Sequence, residues 1–148
     1  MRRTRPGDVA AMFVLLFVVA YVVLRLAYAV LPTVQWIMAL PVTALAIAEF
    51  VAAGRVRAAV LHKPDHKPVT AIAIARCVAL AKASILGAAG LAGATAGLLV
   101  RVVPEAGRVD AAGHDLATGI VVLISALVLL VGGWRLEAAT VDPSRRRS

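Results

Sequence analysis

Residues 83–103 read ASILGAAGLAGATAGLLVRVV, and the only charge among them, Arg101, comes in the last turn. A helix crosses a hydrocarbon layer about 30 Å thick with about 20 mostly apolar residues, so this stretch has the length of a membrane span. A soluble helix would need one polar face, and this one offers only Ser84 and Thr95. Pro104 follows and ends the helix, because proline lacks the N–H that the next turn requires. Three other stretches meet the same standard, at about residues 9–31, 34–53 and 116–134. The chain has 148 residues and is 61% hydrophobic, more than a small soluble protein can bury. The expected fold is therefore all-α, a four-helix transmembrane bundle.

Within the quoted stretch, Gly87, Gly90, Gly93 and Gly97 fall on one half of a helical projection and Ile85, Leu91, Leu98 and Leu99 on the other. Small residues let helix backbones approach in lipid, and Gly93-x-x-x-Gly97 has the spacing of such a contact. The third helix is expected at the centre of the bundle or at an oligomer seam. Gly132-Gly133 in the fourth span can serve the same purpose. Pro32 leaves only a short connection between the first two spans, which predicts that they pack as an antiparallel pair.

Basic residues gather in the cytosolic loops of membrane proteins, which sets an orientation. With the N-terminus inside, that face holds Arg2, Arg3, Arg5, Arg55, Arg57, Lys63, Lys67, Arg76, Lys82, Arg135, Arg145, Arg146 and Arg147. The other face holds Arg25, Arg101 and Arg108 alone, beside Glu105, Asp110 and Asp115. Both termini are thus expected in the cytosol, across a plasma (inner) membrane. The implied organisation is a cytosolic N-terminus (1–8) and one transmembrane domain (9–134). Within that domain lie a cytosolic loop with an interfacial helix (54–82) and an external loop (104–115). A disordered basic tail (135–148) follows. A cleaved signal sequence is the alternative for the first span, given Ala27-Tyr28-Ala29. Its long apolar stretch and the three later spans favour a retained helix.

The net charge of +8 is absorbed by this asymmetry. Nucleic acid is not an expected partner, since no basic run is interleaved with aromatic stacking platforms. Cys77 stands alone, so no disulfide forms within the chain.

Charges inside spans are costly, about 2.5–3.5 kcal/mol each on insertion scales, and so mark sites worth attention. Glu49 lies late in the second span, on a stripe with Gln35, Met38, Val42 and Leu45. Lys82 enters the third span from the same side, which suggests a Glu49–Lys82 ion pair; snorkelling of Lys82 to the headgroups competes with it. Arg25, with Tyr21 and Tyr28 on its face, is expected to reach the outer headgroups or the external acids, with a role in binding a substrate anion as the alternative. His62 and His66 are separated by Pro64, so they do not share a helical face and no metal site is expected. Lys82 and Ser84, two residues apart, point to different sides and do not form a catalytic dyad. His114 and Asp115 are placed at the start of the fourth helix, where Asp115 would cap it. No nucleophile, base and oxyanion donors converge, and no cofactor motif is present, so an enzyme is not expected.

Ala75-Arg76, then Ala81-Lys82-Ala83-Ser84 before the glycines, resemble an uncharacterised actinobacterial membrane family, the domain of unknown function 3180. Ala48-Glu49 and Trp134-Arg135-Leu136-Glu137 are similar to its pattern as well, and Arg76, Lys82 and Ser84 are its motif residues here. Ala94-Thr95-Ala96 departs from the aromatic residues expected after the glycines. The resemblance implies an inner-membrane protein with no assigned activity, often encoded beside folate-pathway enzymes. The expected function is a non-enzymatic membrane scaffold or interaction protein. Its partners would be the bilayer, a second copy or another membrane protein. An oligomeric small-solute transporter or channel component is the alternative.

Overall fold

The computed structural model describes residues 4–27, 35–60, 70–107 and 110–140. Four helices make up nearly all of them, and each is long and apolar enough to cross a membrane. Helix α1 is Pro6–Ala27, α2 is Ala39–Val60, α3 is Ala71–Val102 and α4 is Asp110–Ala139. Pro6 opens α1 at a position where its missing N–H is harmless, and Asp8 sits against the positive end of the helix. A single 3-10 turn, Trp36–Met38, leads into α2. Thr70 caps α3, its hydroxyl accepting from the Ala73 N–H at 3.3 Å. Pro104 turns the end of α3 into a 3-10 turn, Val103–Glu105, where Arg101 and Glu105 pair.

The helices line up in the order α1–α3–α4–α2. Gly90 meets Met12 and Leu16, Gly93 meets Phe13, and Gly97 meets Phe17 and Tyr21, so α1 and α3 run parallel. Thr43 meets Ser125, Gly132 meets Ala46 and Glu49, and Ala53 and Val56 pack with Leu136 and Ala139, so α2 and α4 are also parallel. Between these pairs α3 and α4 are antiparallel: Gly133 lies on Ala81 and Ile85, and Gly119 on Leu98 and Leu99.

The antiparallel α1–α2 pair expected from the short connection is not formed; among the described residues these helices do not meet. Lipid is as apolar as a leucine side chain, so nearness in sequence carries little packing energy. Grooves of small residues decide the neighbours instead, and those grooves are on α3 and α4. Pro32 itself lies outside the described residues.

The helices also outrun the spans expected from hydropathy. The interfacial segment carrying Arg76 is the first part of α3, a single helix of 32 residues. At 1.5 Å per residue it is about 48 Å long, well beyond the apolar core. Arg55 and Arg57 are in α2 rather than in a loop. Residues 135–139 belong to α4, with Leu136 fully buried, and not to a disordered tail. His114 and Asp115 lie in the second turn of α4, which begins at Asp110, so Asp115 does not cap it. Arg, Ala and Glu are good helix formers, so these helices continue after hydropathy has fallen.

Arg5, Arg55, Arg57, Arg76, Lys82 and Arg135 are gathered at the end of the bundle where α1 begins and α4 stops. A bond from the Thr4 N–H to Glu137, 2.9 Å long, ties those two points together. Arg25 and Arg101 lie toward the opposite end. The remaining basic residues named above, His62, His66 and the two Lys-Pro dipeptides, lie outside the described residues.

Candidate functional site

The α2 face turned to α4 repeats every seven residues. Ala39, Ala46 and Ala53 form one row and Val42, Glu49 and Val56 the next; all but Val42, which is half-buried, are buried. On α4 the matching rows are Thr118, Ser125, Gly132 and Ala139, and Val122, Leu129 and Leu136. Such a repeat keeps one seam facing its partner along both helices. It differs from the stripe expected through Gln35 and Leu45, both of which are exposed.

This seam is held by polar and aromatic contacts. The Thr43 hydroxyl donates to Ser125 Oγ at 3.0 Å, and the Ser125 hydroxyl to the Val121 carbonyl at 2.9 Å. One and a half turns further on, Glu49 enters the bundle. Next to it the Arg135 guanidinium lies over the Phe50 ring, 5.6 Å from its centre.

Glu49 is 0% exposed. Its two carboxylate oxygens have no hydrogen-bond partner among the described residues. It sits where α2, α3 and α4 converge. From α4, Gly132 presents bare backbone, and a Cβ there would stand 3.3 Å from Glu49 Oε2 and 3.5 Å from the Ala46 carbonyl oxygen. From α3, the buried Ser84 hydroxyl approaches the carboxylate without reaching hydrogen-bond geometry. Lys82, half-buried and two residues earlier, sends no hydrogen bond to Glu49. An unpaired polar group in an apolar interior is costly, by roughly 1–3 kcal/mol even when neutral.

The glycines of α3 divide. Gly90, Gly93 and Gly97 face α1, and at Gly93 a Cβ would collide with the Phe13 carbonyl. At Gly97 it would lie 2.8 Å from the Phe17 carbonyl oxygen. Gly87 faces open space. Arg76 is exposed on the first half of α3, and Arg25 is exposed in the last turn of α1. Tyr28 lies outside the described residues, while Tyr21 stacks on Phe17 and Phe17 on Phe13 along α1.

Sequence reasoning missed Gly132 as the neighbour of Glu49, although the seven-residue repeat of α4 through Ser125 and Gly132 carried the signal. It also missed Glu137, which accepts from both the Thr4 N–H and the Thr4 hydroxyl. No three His, Cys, Asp or Glu side chains form a metal-binding group among the described residues.

No curated protein and no solved structure matches the chain. The model of one family, a protein of unknown function (DUF3180), matches residues 9–143. That match spans all four helices, and the chain belongs to this family.

Proposed function

We propose that the chain is a multi-pass protein of the plasma membrane, with both ends in the cytosol, that works as a non-enzymatic scaffold for other membrane or envelope components. The gathering of Arg5, Arg55, Arg57, Arg76, Lys82 and Arg135 at one end supports the orientation. The observation that carries the scaffold reading is how interior groups are used. Gly90, Gly93 and Gly97 join α1 to α3, Thr43 and Ser125 join α2 to α4, and Glu137 holds Thr4. These groups fasten helix to helix. Helix α3 then extends a basic first half, with Ile72 68% exposed, to where a partner can meet it.

The test is a photo-crosslinking residue at Ile72 in native membranes, paired with solute flux in proteoliposomes. A discrete protein adduct without flux is the expected result. Flux without an adduct would replace the scaffold by the second reading, an oligomeric transporter or channel component. That reading is favoured by one observation, the carboxylate of Glu49 within the apolar bundle.

A further inference from the structure

We propose that Arg55, Arg57 and Arg76 form a binding layer for the headgroup phosphates of anionic phospholipids, at the end of the bundle where α2 and α4 stop and α3 begins. The depth of these residues follows from the packing register. Gly132 and Gly133 of α4 stand level with Glu49 on α2 and with Ala81 and Ile85 on α3. Trp134, exposed just past that level, carries the ring type that settles between hydrocarbon and headgroups. At 1.5 Å per residue, Arg55 and Arg57 lie about 9 and 12 Å past Glu49, and Arg76 about 10 Å past the midpoint of Ala81 and Ile85. Two helices thus bring three arginines to one height, roughly 6–9 Å beyond Trp134. A headgroup layer is about that deep on each side of the apolar core.

Charge selects the occupant. All three side chains are exposed, and none takes part in an ion pair among the described residues. Arg5 and Arg135 are exposed at the same end, where the one exposed acid among the described residues is Asp8. Glu137 is buried there and holds Thr4. The opposite end is balanced instead, with Arg101 paired to Glu105 and Asp110 opening α4. A guanidinium fork matches two oxygens of one phosphate. The α3 face around Arg76 fits a lipid better than a free anion. Ile72 and Leu80, 68% and 42% exposed, stand four residues before and after it and so share its face. Glycerol and acyl carbons would cover these two side chains, which a soluble anion would leave in water. This site stands apart from the scaffold reading, because lipid alone fills it.

The full-length protein in a neutral detergent is offered phosphatidylglycerol and phosphatidylcholine of equal chain length. The lipids it retains are counted by native mass spectrometry. Phosphatidylglycerol should be preferred, and the preference should fall as salt rises. Each of Arg55→Gln, Arg57→Gln and Arg76→Gln should lower it about 5-fold, the weight of one basic residue near an anionic surface. Lysine at the same positions should keep most of it, and Arg25→Gln at the opposite end should leave it unchanged. Thermal unfolding of each variant shows that the bundle is intact. Glycerol phosphate, a headgroup without chains, should not displace the lipid; displacement would make this an ion site and overturn the proposal. Equal retention of the two lipids, or a preference that survives all three glutamine substitutions together, would also overturn it and leave the arginines to an acidic protein segment.

Discussion

The α1–α3 seam and the α2–α4 seam solve one problem by opposite means. Both join parallel helices in surroundings that supply no hydrophobic force between apolar surfaces. In lipid, association has to come from close packing or from polar contacts. The α1–α3 seam uses packing, laying the backbone of Phe13 and Phe17 into the groove left by Gly93 and Gly97. The α2–α4 seam uses side chains: Thr43 on Ser125, Phe50 under Arg135, and Leu136 in a cluster with Ala53, Val56, Ala81 and Ala139. A backbone groove tolerates no added atom, whereas a side-chain seam loses one contact at a time. That difference makes the first seam brittle and the second graded, and it is the graded one that buries the Glu49 carboxyl group.

Substitutions can break that contrast. Gly93→Ile drives a branched side chain into the Phe13 carbonyl, which cannot move without shifting α1. Overpacking against backbone is expected to cost at least ~3 kcal/mol in detergent unfolding. Gly87→Ala, six residues away and facing open space, should leave stability unchanged or raise it by up to ~1 kcal/mol through helix propensity. Similar losses at both positions would mean that the glycines act through helix flexibility and not through contact.

Leu136→Ala comes next. This side chain is fully buried at the basic end, and deleting it should cost about 2–4 kcal/mol. A silent variant would return residues 135–148 to the role of an unstructured tail. Smaller still, a double-mutant cycle of Thr43→Val and Ser125→Ala should give a coupling of about 0.6 kcal/mol, the average for such bonds between membrane helices. The smallest effect belongs to Arg135→Gln, which removes the charge over Phe50 and should cost about 0.5 kcal/mol at this exposed position.

The four helices were legible in the sequence because a 20-residue apolar run has few other uses. The central place of α3 was legible too, since Gly90, Gly93 and Gly97 recur on one face. Neighbour choice was not. A short connection at Pro32 argues for adjacency, yet the groove that receives α1 is on α3, and nothing local to the first span records that. Helix ends were misjudged at Arg55, Arg57 and Arg135 because hydropathy marks where lipid stops, not where hydrogen bonding along the backbone stops. Glu49 was picked out by its cost alone. Its surroundings were missed because the stripe was anchored on Gln35; anchoring it on Ala39, Ala46 and Ala53 would have placed Gly132 opposite.

All of this depends on α1 lying against α3 with α2 on the far side of α4. In a Cys77→Ser background, spin labels are attached at exposed positions near one end of the bundle, at Leu26 on α1 and Val103 after α3. A second pair joins Leu26 to the exposed Leu40 at the start of α2. The distance between Leu26 and Val103 should be the shorter of the two in reconstituted protein. A shorter Leu26–Leu40 distance would place α1 beside α2 and contradict the helix order on which both seams rest.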